Sequence, residues 1–194
     1  MKKFIISLVA LMLIIPSISL AKMKAPDVLD TEKILTDESL SKYKSVGVKM
    51  FAIDDIKYEN VDDEEMKQLK HHIKDWQEKL AKTVARNLED DGINAFVIKE
   101  DGSNAGKADM IVDGSITKID LGSAVGRIMW GWGAGQAGIE VKGELKDAKS
   151  GDALVKFEHE NSSGLGDGEK WSLLEREVSD LGDKLSEFIE KLRK

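Results

Sequence analysis

The chain has no cysteine among its 194 residues. That excludes disulfides, thiolate nucleophiles and cysteine-bound zinc. It also excludes a lipid-modified N-terminus, because the position where a bacterial lipoprotein carries cysteine is held by Lys22. Histidine is scarce, at three residues, and proline scarcer, at two. No apolar run approaches the roughly 20 residues that span a bilayer as a helix. The longest, Phe4 to Ile15, is about 12 residues, follows Lys2 and Lys3, and is broken by Pro16 before the small residues of Ser19-Leu20-Ala21. This is the pattern of an export leader, and it predicts cleavage after Ala21 and a periplasmic or secreted protein with no stable membrane anchor after cleavage.

Removing that leader takes two lysines with it and leaves 27 basic residues against 36 acidic ones, a formal charge of −9. Basic and acidic residues are interleaved, so no concentrated basic face is available for phosphates and nucleic acid is not an expected partner. About 150 residues remain beyond a polar lead-in, enough for one domain with its own core.

The lead-in, residues 22–44, holds Pro26 and at most a short helical turn around Thr36 to Leu40; it reads as a tether or an arm laid over the domain. A first strand is expected over 45–53, with Val46, Val48, Met50 and Ala52 on one face and Phe51 and Ile53 on the other. A long helix follows from Asp63 to Asp90. Asp62 or Asp63 is its candidate N-cap, Met66, Leu69, Ile73, Trp76, Leu80, Val84 and Leu88 form its stripe, and Gly92 is its stop. Further strands are expected at Asn94 to Lys99, Asp109 to Ile119, Ala137 to Lys146 and Ala153 to Glu160, the last two joined by a hairpin at Asp147 to Asp152. On that hairpin Ile139, Val141, Leu145, Val155 and Phe157 share one face, and Glu140, Lys142, Glu144, Lys146, Lys156 and Glu158 the other. After a Ser/Gly-rich stretch at 162–168, Trp171, Leu174, Val178, Leu181, Leu185, Phe188 and Leu192 recur at alternating steps of three and four. That spacing fits either a helix packed on the sheet or a coiled-coil seam. The expected fold is α+β, a mainly antiparallel five-stranded sheet covered by two long helices in the order β-α-β-β-β-β-α.

One segment of the sequence carries a family resemblance. Ala108-Asp109-Met110-Ile111-Val112-Asp113-Gly114-Ser115-Ile116, then Gly122-Ser123 with Arg127, Gly131-Trp132-Gly133-Ala134-Gly135, the alternating strand to Asp147, Ser150-Gly151, Ala153-Leu154 and Asp180-Leu181-Gly182 resemble the bacterial exported proteins grouped as domain of unknown function 4410. The resemblance runs from Ser45 to the C-terminus. It implies an envelope location and this fold, and it brings no catalytic residues with it.

Several apparent motifs fail on context. Gly133-Ala134-Gly135-Gln136-Ala137-Gly138 spells G-x-G-x-x-G but leads into a strand, where a dinucleotide site needs a helix N-terminus. His71 and His72 are adjacent on a helix and so point about 100° apart, unlike a chelating i, i+4 pair. His71, His72 and His159 each read as a solvated or rim side chain. Asp101, Ser103 and Asp109 lack the later ligands of a calcium loop. No cofactor or metal is expected. There is no G-x-S-x-G elbow and no histidine beside a serine-rich turn, which leaves an enzyme, as a small periplasmic hydrolase with an unrecognised site, as the alternative class.

What remains is the segment Leu121 to Gln136, in which Arg127, Ile128, Met129, Trp130 and Trp132 stand among glycines. Two readings are open: these side chains plug one end of the sheet, or they present a docking surface for an envelope protein or for self-association. The sequence therefore points to an exported, non-catalytic binding or assembly module, with those five residues as its candidate partner-binding loop.

Overall fold

The computed structural model describes residues 23–122, 136–163 and 170–194. Among them are seven strands and two long helices: β1 (Thr31–Ile34), β2 (Ser45–Val48), β3 (Lys57–Glu59), α1 (Asp63–Asp90), β4 (Asn94–Val97), β5 (Met110–Asp120), β6 (Ala137–Asp147), β7 (Ala153–Ser163) and α2 (Lys170–Leu192). They form one sheet in the order β1-β7-β6-β5-β2-β4, with β3 pairing the far half of β5.

The α+β class and the two covering helices agree with the sequence pattern, but the sheet is mixed and has more strands than the five expected. β1, β7, β6 and β5 are antiparallel neighbours, whereas β2 runs parallel to both β4 and β5 and β3 runs parallel to β5. β1 and β3 are four and three residues long. Strands that short have no measurable period, and they exist because a neighbouring edge supplies their hydrogen bonds. β1 lies within the lead-in, so residues 23–44 are an arm that adds a strand to the sheet, followed by a single 3-10 turn at Leu40–Lys42.

The first expected strand, 45–53, is interrupted. Residues 45–59 touch β5 three times: through β2, through a bridge between Ala52 and Ser115, and through β3. The alternation fails between β2 and that bridge because Phe51 turns inward, fully buried, in place of Met50. Its ring lies over Gly114, where a Cβ would stand 2.5 Å from Phe51 Cε1. Glycine at that position is what lets the ring pack on the strand backbone.

α1 begins with a reciprocal cap. Asp62 accepts from the Glu64 and Glu65 backbone N–H groups, and the Glu65 carboxylate accepts from the Asp62 N–H. It ends where Gly92 takes φ +79. α1 packs on β2 and β4, α2 packs on β6 and β7, and the helices pack on each other. The stripe of α2 from Leu174 to Leu192 is buried within this one chain, so its heptad-like spacing serves the sheet. Each fully buried Leu or Phe there contributes about 1.5–3 kcal/mol. Both helices cover one face of the sheet. The opposite face carries the charged residues of β5, β6 and β7, as the alternation predicts.

Candidate functional site at one end of the sheet

Strand register decides where the candidate loop is rooted. Asp120 pairs with Gly138, and Ala137 pairs with Ser163. The segments 123–135 and 164–169 therefore leave and re-enter at the same end of the sheet, one between β5 and β6 and the other between β7 and α2. Its described surroundings are held firmly. Gly122, at φ +74, donates its N–H to Asp120 Oδ1 at 2.7 Å, and Asn60 Nδ2 donates to the same oxygen at 2.7 Å. The Leu121 N–H donates to the Glu59 carbonyl at 3.1 Å, and both Leu121 and Ala137 are buried. Tyr58, on β3 at this end, is 38% exposed.

The helix starts are stapled together at the same end. Lys170 pairs with Glu65, and Trp171 Nε1 donates to Gln68 Oε1 at 2.8 Å. The Trp171 ring stacks on His72 with centroids 5.0 Å apart, and His72 in turn stacks on Trp76 at 5.7 Å. Aromatic contacts of this kind add about 0.5–1.5 kcal/mol beyond the area they bury. The sequence reads His72 as a solvated or rim side chain and does not foresee this stack; its i, i+4 relation to Trp76 is the available signal.

Arg127, Ile128, Met129, Trp130 and Trp132 lie outside the described residues, as do residues 1–22 and most of the Ser/Gly-rich stretch. The G-x-G-x-x-G run ends inside β6, which starts at Ala137. His159 corrects the sequence reading: it is 9% exposed and shares the core-facing side of β7 with Val155 and Phe157. The period-two alternation of that strand already contained this placement. Its Nδ1 lies 3.0 Å from Asp30 Oδ2, which also accepts the Glu160 N–H at 2.8 Å. Its Nε2 is buried and has no hydrogen-bond partner among the described residues. No group of three or more His, Asp or Glu side chains among the described residues is placed to hold a metal ion.

The sheet face opposite the helices holds a shallow trough of about 610 Å³ lined in part by Gly114 and Gly143. Register sets like charges opposite each other there, Asp113 against Glu144 and Glu140 against Glu160, and lysines bridge them diagonally. Lys146 reaches Asp113 at 2.9 Å and Glu144 at 3.4 Å, Lys49 reaches Asp113 at 2.9 Å, and Lys118 reaches Glu160 at 2.7 Å. Burial acts to raise the Asp113 carboxyl, but the hydrogen bonds and charges of Lys49 and Lys146 outweigh it and hold the group below its ordinary value. Lys156 does the same for Glu144, and the Lys118, Lys142 and Lys146 ammonium groups are raised by their carboxylate partners. Every one of these shifts moves a group further from neutrality and fixes its charge. A general acid or base needs the opposite, an ionisation brought toward the working pH.

Set beside solved structures, the chain is similar to the PelC dodecamer from Paraburkholderia phytofirmans at 15% identity, covering 80% of this chain and 96% of that one with a TM-score of 0.47. Protein XCC0632 from Xanthomonas campestris is similar at 12% identity, over 74% of this chain and 81% of that one, with a TM-score of 0.46. The lipoprotein GNA1162 from Neisseria meningitidis is similar at 13% identity, over 77% and 96%, with a TM-score of 0.39. No curated protein matches the chain. No described helix is long and apolar enough to cross a membrane. The family model for the domain of unknown function DUF4410 matches residues 46–166, and with that span of the sheet and its loop inside the match, the chain belongs to the DUF4410 family.

Proposed function

We propose that this protein is an exported, non-catalytic module of the bacterial envelope that binds or helps assemble a partner protein through the end of the sheet from which 123–135 and 164–169 depart. The observation that carries this reading is that the described residues flanking both segments, Asp120 with Gly138 and Ala137 with Ser163, pair at one stapled end of the sheet. Binding residues are commonly held on loops positioned by a rigid scaffold. Here the scaffold is the β5–β6–β7 edge, clamped by β3 on one side and the Glu65–Lys170 and Gln68–Trp171 ties on the other. The sequence puts Arg127, Ile128, Met129, Trp130 and Trp132 on the longer of the two segments, and tryptophan and arginine are the side chains that most often anchor interfaces. The ionisation pattern on the open sheet face supports a role without proton transfer.

The test uses the full mature chain as bait against periplasmic extract, with Trp130→Ala and Trp132→Ala compared to the wild type in melting and in capture. A docking role requires at least one variant that keeps the wild-type melting temperature and loses a specific captured protein; sedimentation of the same samples reads self-association as the other form of docking. If both variants melt early by the roughly 3–5 kcal/mol of a filled cavity lost, and neither loses a partner selectively, the segment is a plug.

One arrangement favours the alternative, a small periplasmic hydrolase: Asp30 lies 3.0 Å from His159 Nδ1 and orients the imidazole, as a carboxylate does for a general base. His159→Gln keeps the size of the side chain and removes that base. Hydrolysis of any ester or glycoside panel substrate by the wild type, lost in this variant, would replace the binding reading.

A further inference from the structure

Residues 23–34 form a strap along the outer edge of β7. Met23 and Val28 pack against the core and Leu29 is 6% exposed. The Glu32 carboxylate accepts three backbone N–H groups, those of Asp27 at 2.9 Å, Val28 at 2.6 Å and Leu29 at 2.8 Å, and closes a turn in which Asp27 takes φ +62. β1 pairs with β7 along Thr31 to Ile34, the Leu35 N–H donates to the Leu154 carbonyl at 2.8 Å, and Asp30 accepts the Glu160 N–H at 2.8 Å. These bonds fix which way each residue of β7 faces. The backbone groups of Lys156, Glu158 and Glu160 point to the strap, and those of Val155, Phe157 and His159 point to β6. A short exposed connection joins the strap to the body. Leu35 is 41% exposed, Asp37, Glu38 and Ser39 are exposed, and among the described residues the hydrogen bonds of 36–39 run to one another or to Ser41 and Lys42. The chain is fixed again at Leu40, which is fully buried.

We infer that this strap opens as a unit and that the slot it leaves on β7 accepts the same strap from a second copy of the chain. The contacts that seat the strap lie within it or between it and the body it covers, and none of them depends on where the connection at 35–39 comes from. A strap arriving from a second copy makes the same pairing with β7, the same Asp30 contacts and the same turn at Glu32, so exchange loses no contact. Only the connection differs. β1 and β2 stand four positions apart in the sheet order, about 19 Å at about 4.8 Å per strand. The eleven Cα steps from Ile34 to Ser45 reach about 38 Å when extended, so closure within one chain is slack. A slack connection holds the strap at its own slot with an effective concentration on the order of mM, and exchange grows as the protein concentration approaches that value. Shortening the connection reverses the balance. Without residues 36–39 seven steps remain, about 24 Å of extended chain, too little to cross the end of the sheet and also seat Leu40 in its 3-10 turn. The strap then closes only on a neighbour, and each copy supplies the edge strand of the other.

Because the chain has no cysteine, introduced cysteines report cleanly. Lys33 and Lys156 stand opposite each other across β1 and β7, and an opposed pair of this kind has Cα atoms about 5.5 Å apart, within the range of a disulfide. Lys33→Cys and Lys156→Cys chains are mixed at high concentration under mild oxidation, and the linked dimers are identified by intact mass. Random collision gives mixed dimers in about the same amount as the two same-variant dimers together, whereas exchange is expected to raise the mixed dimer about threefold or more above them. Hydrogen exchange of the wild type reads the opening itself. The amides of Lys156, Glu158 and Glu160 are expected to lose protection together, about tenfold or more faster than those of Val155, Phe157 and His159. Mixed dimers at the random proportion, or a single rate for both sets of amides, would overturn the inference. Sedimentation of a chain lacking residues 36–39 gives an independent reading: a folded dimer supports exchange, and a folded monomer excludes it. Should that deletion fail to fold, the cysteine mixture still decides the question.

Discussion

Gly182 on α2 faces Thr83 on α1 so closely that a Cβ on the glycine would stand 2.7 Å from Thr83 Cγ2 and 2.8 Å from Thr83 Cβ. Here the two helices approach closely for lack of a side chain. An alanine would ordinarily stabilise a helix by about 1 kcal/mol relative to glycine. Here overpacking of about 1–3 kcal/mol opposes that gain. Gly182→Ala is therefore expected to lower stability in urea unfolding, and Thr83→Ala introduced with it should recover part of the loss. A more stable Gly182→Ala protein would show that the helices do not meet as described.

The buried stripe of α2 gives a sharper contrast. Leu181 is fully buried, whereas Glu187 is partly exposed and pairs with Lys184 and Lys191. Leu181→Asp places an unpaired carboxylate in the core and should cost several kcal/mol, on the order of the whole stability of the domain. Glu187→Lys should change it by less than about 0.5 kcal/mol. Circular-dichroism melts of the two variants check this, and similar midpoints would contradict the packing.

At the opposite end of the sheet from the candidate site, Tyr43 donates its hydroxyl to Asp147 Oδ2 at 2.9 Å. Burial, followed by that hydrogen bond and the Asp147 charge, pushes the phenol up to about 12 from 10.0. A folded-state value above the unfolded one means that the protonated phenol stabilises the fold. The contribution is complete below about pH 10 and is lost as the pH rises toward about 12. Melting temperatures of wild type and Tyr43→Phe, taken at pH 8, 10 and 11.5, should converge over the last step. Parallel curves would remove Tyr43 from the alkaline transition.

Asp113 carries the opposite sign. Burial raises its carboxyl, but Lys49 and Lys146 lower it more, to below 3.8. A depressed folded-state value gives stability that is present above the unfolded pKa and disappears as the pH falls through the folded one. Asp113→Asn should cost about 1 kcal/mol or less at pH 7, in the range of partly exposed ion pairs, and the difference from wild type should shrink below pH 4. Because the pair is partly solvated, raising salt should shrink the difference as well. A difference unchanged from pH 7 to pH 3 would place the effect in packing instead of charge.

The charged face that holds Asp113 was legible from alternation alone, and so was the placement of His159, since both follow from which side of a strand a residue occupies. The bridging of Asp113 and Glu144 by Lys146 was not, because it depends on which residues stand opposite each other across β5 and β6. The stapling of Trp171 to Gln68 and His72 joins residues more than ninety positions apart in the chain, and no local pattern anticipates it.

The sequence by itself determined the boundaries of α1, with its N-cap narrowed to Asp62 or Asp63, the apolar stripe of α2, the β6–β7 hairpin and the family to which the chain belongs. These depend on periodicity and capping within a few consecutive residues, where a side chain's environment repeats every 2 or 3.6 positions. Only the tertiary structure decided that the sheet is mixed, that a four-residue piece of the arm becomes its edge, that Phe51 rather than Met50 turns inward over Gly114, and that two separate segments leave from one stapled end. Short strands and glycine contacts of this kind have no period of their own. Their stability comes from partners distant in the chain, and they exist once the long helices and strands have brought those partners together.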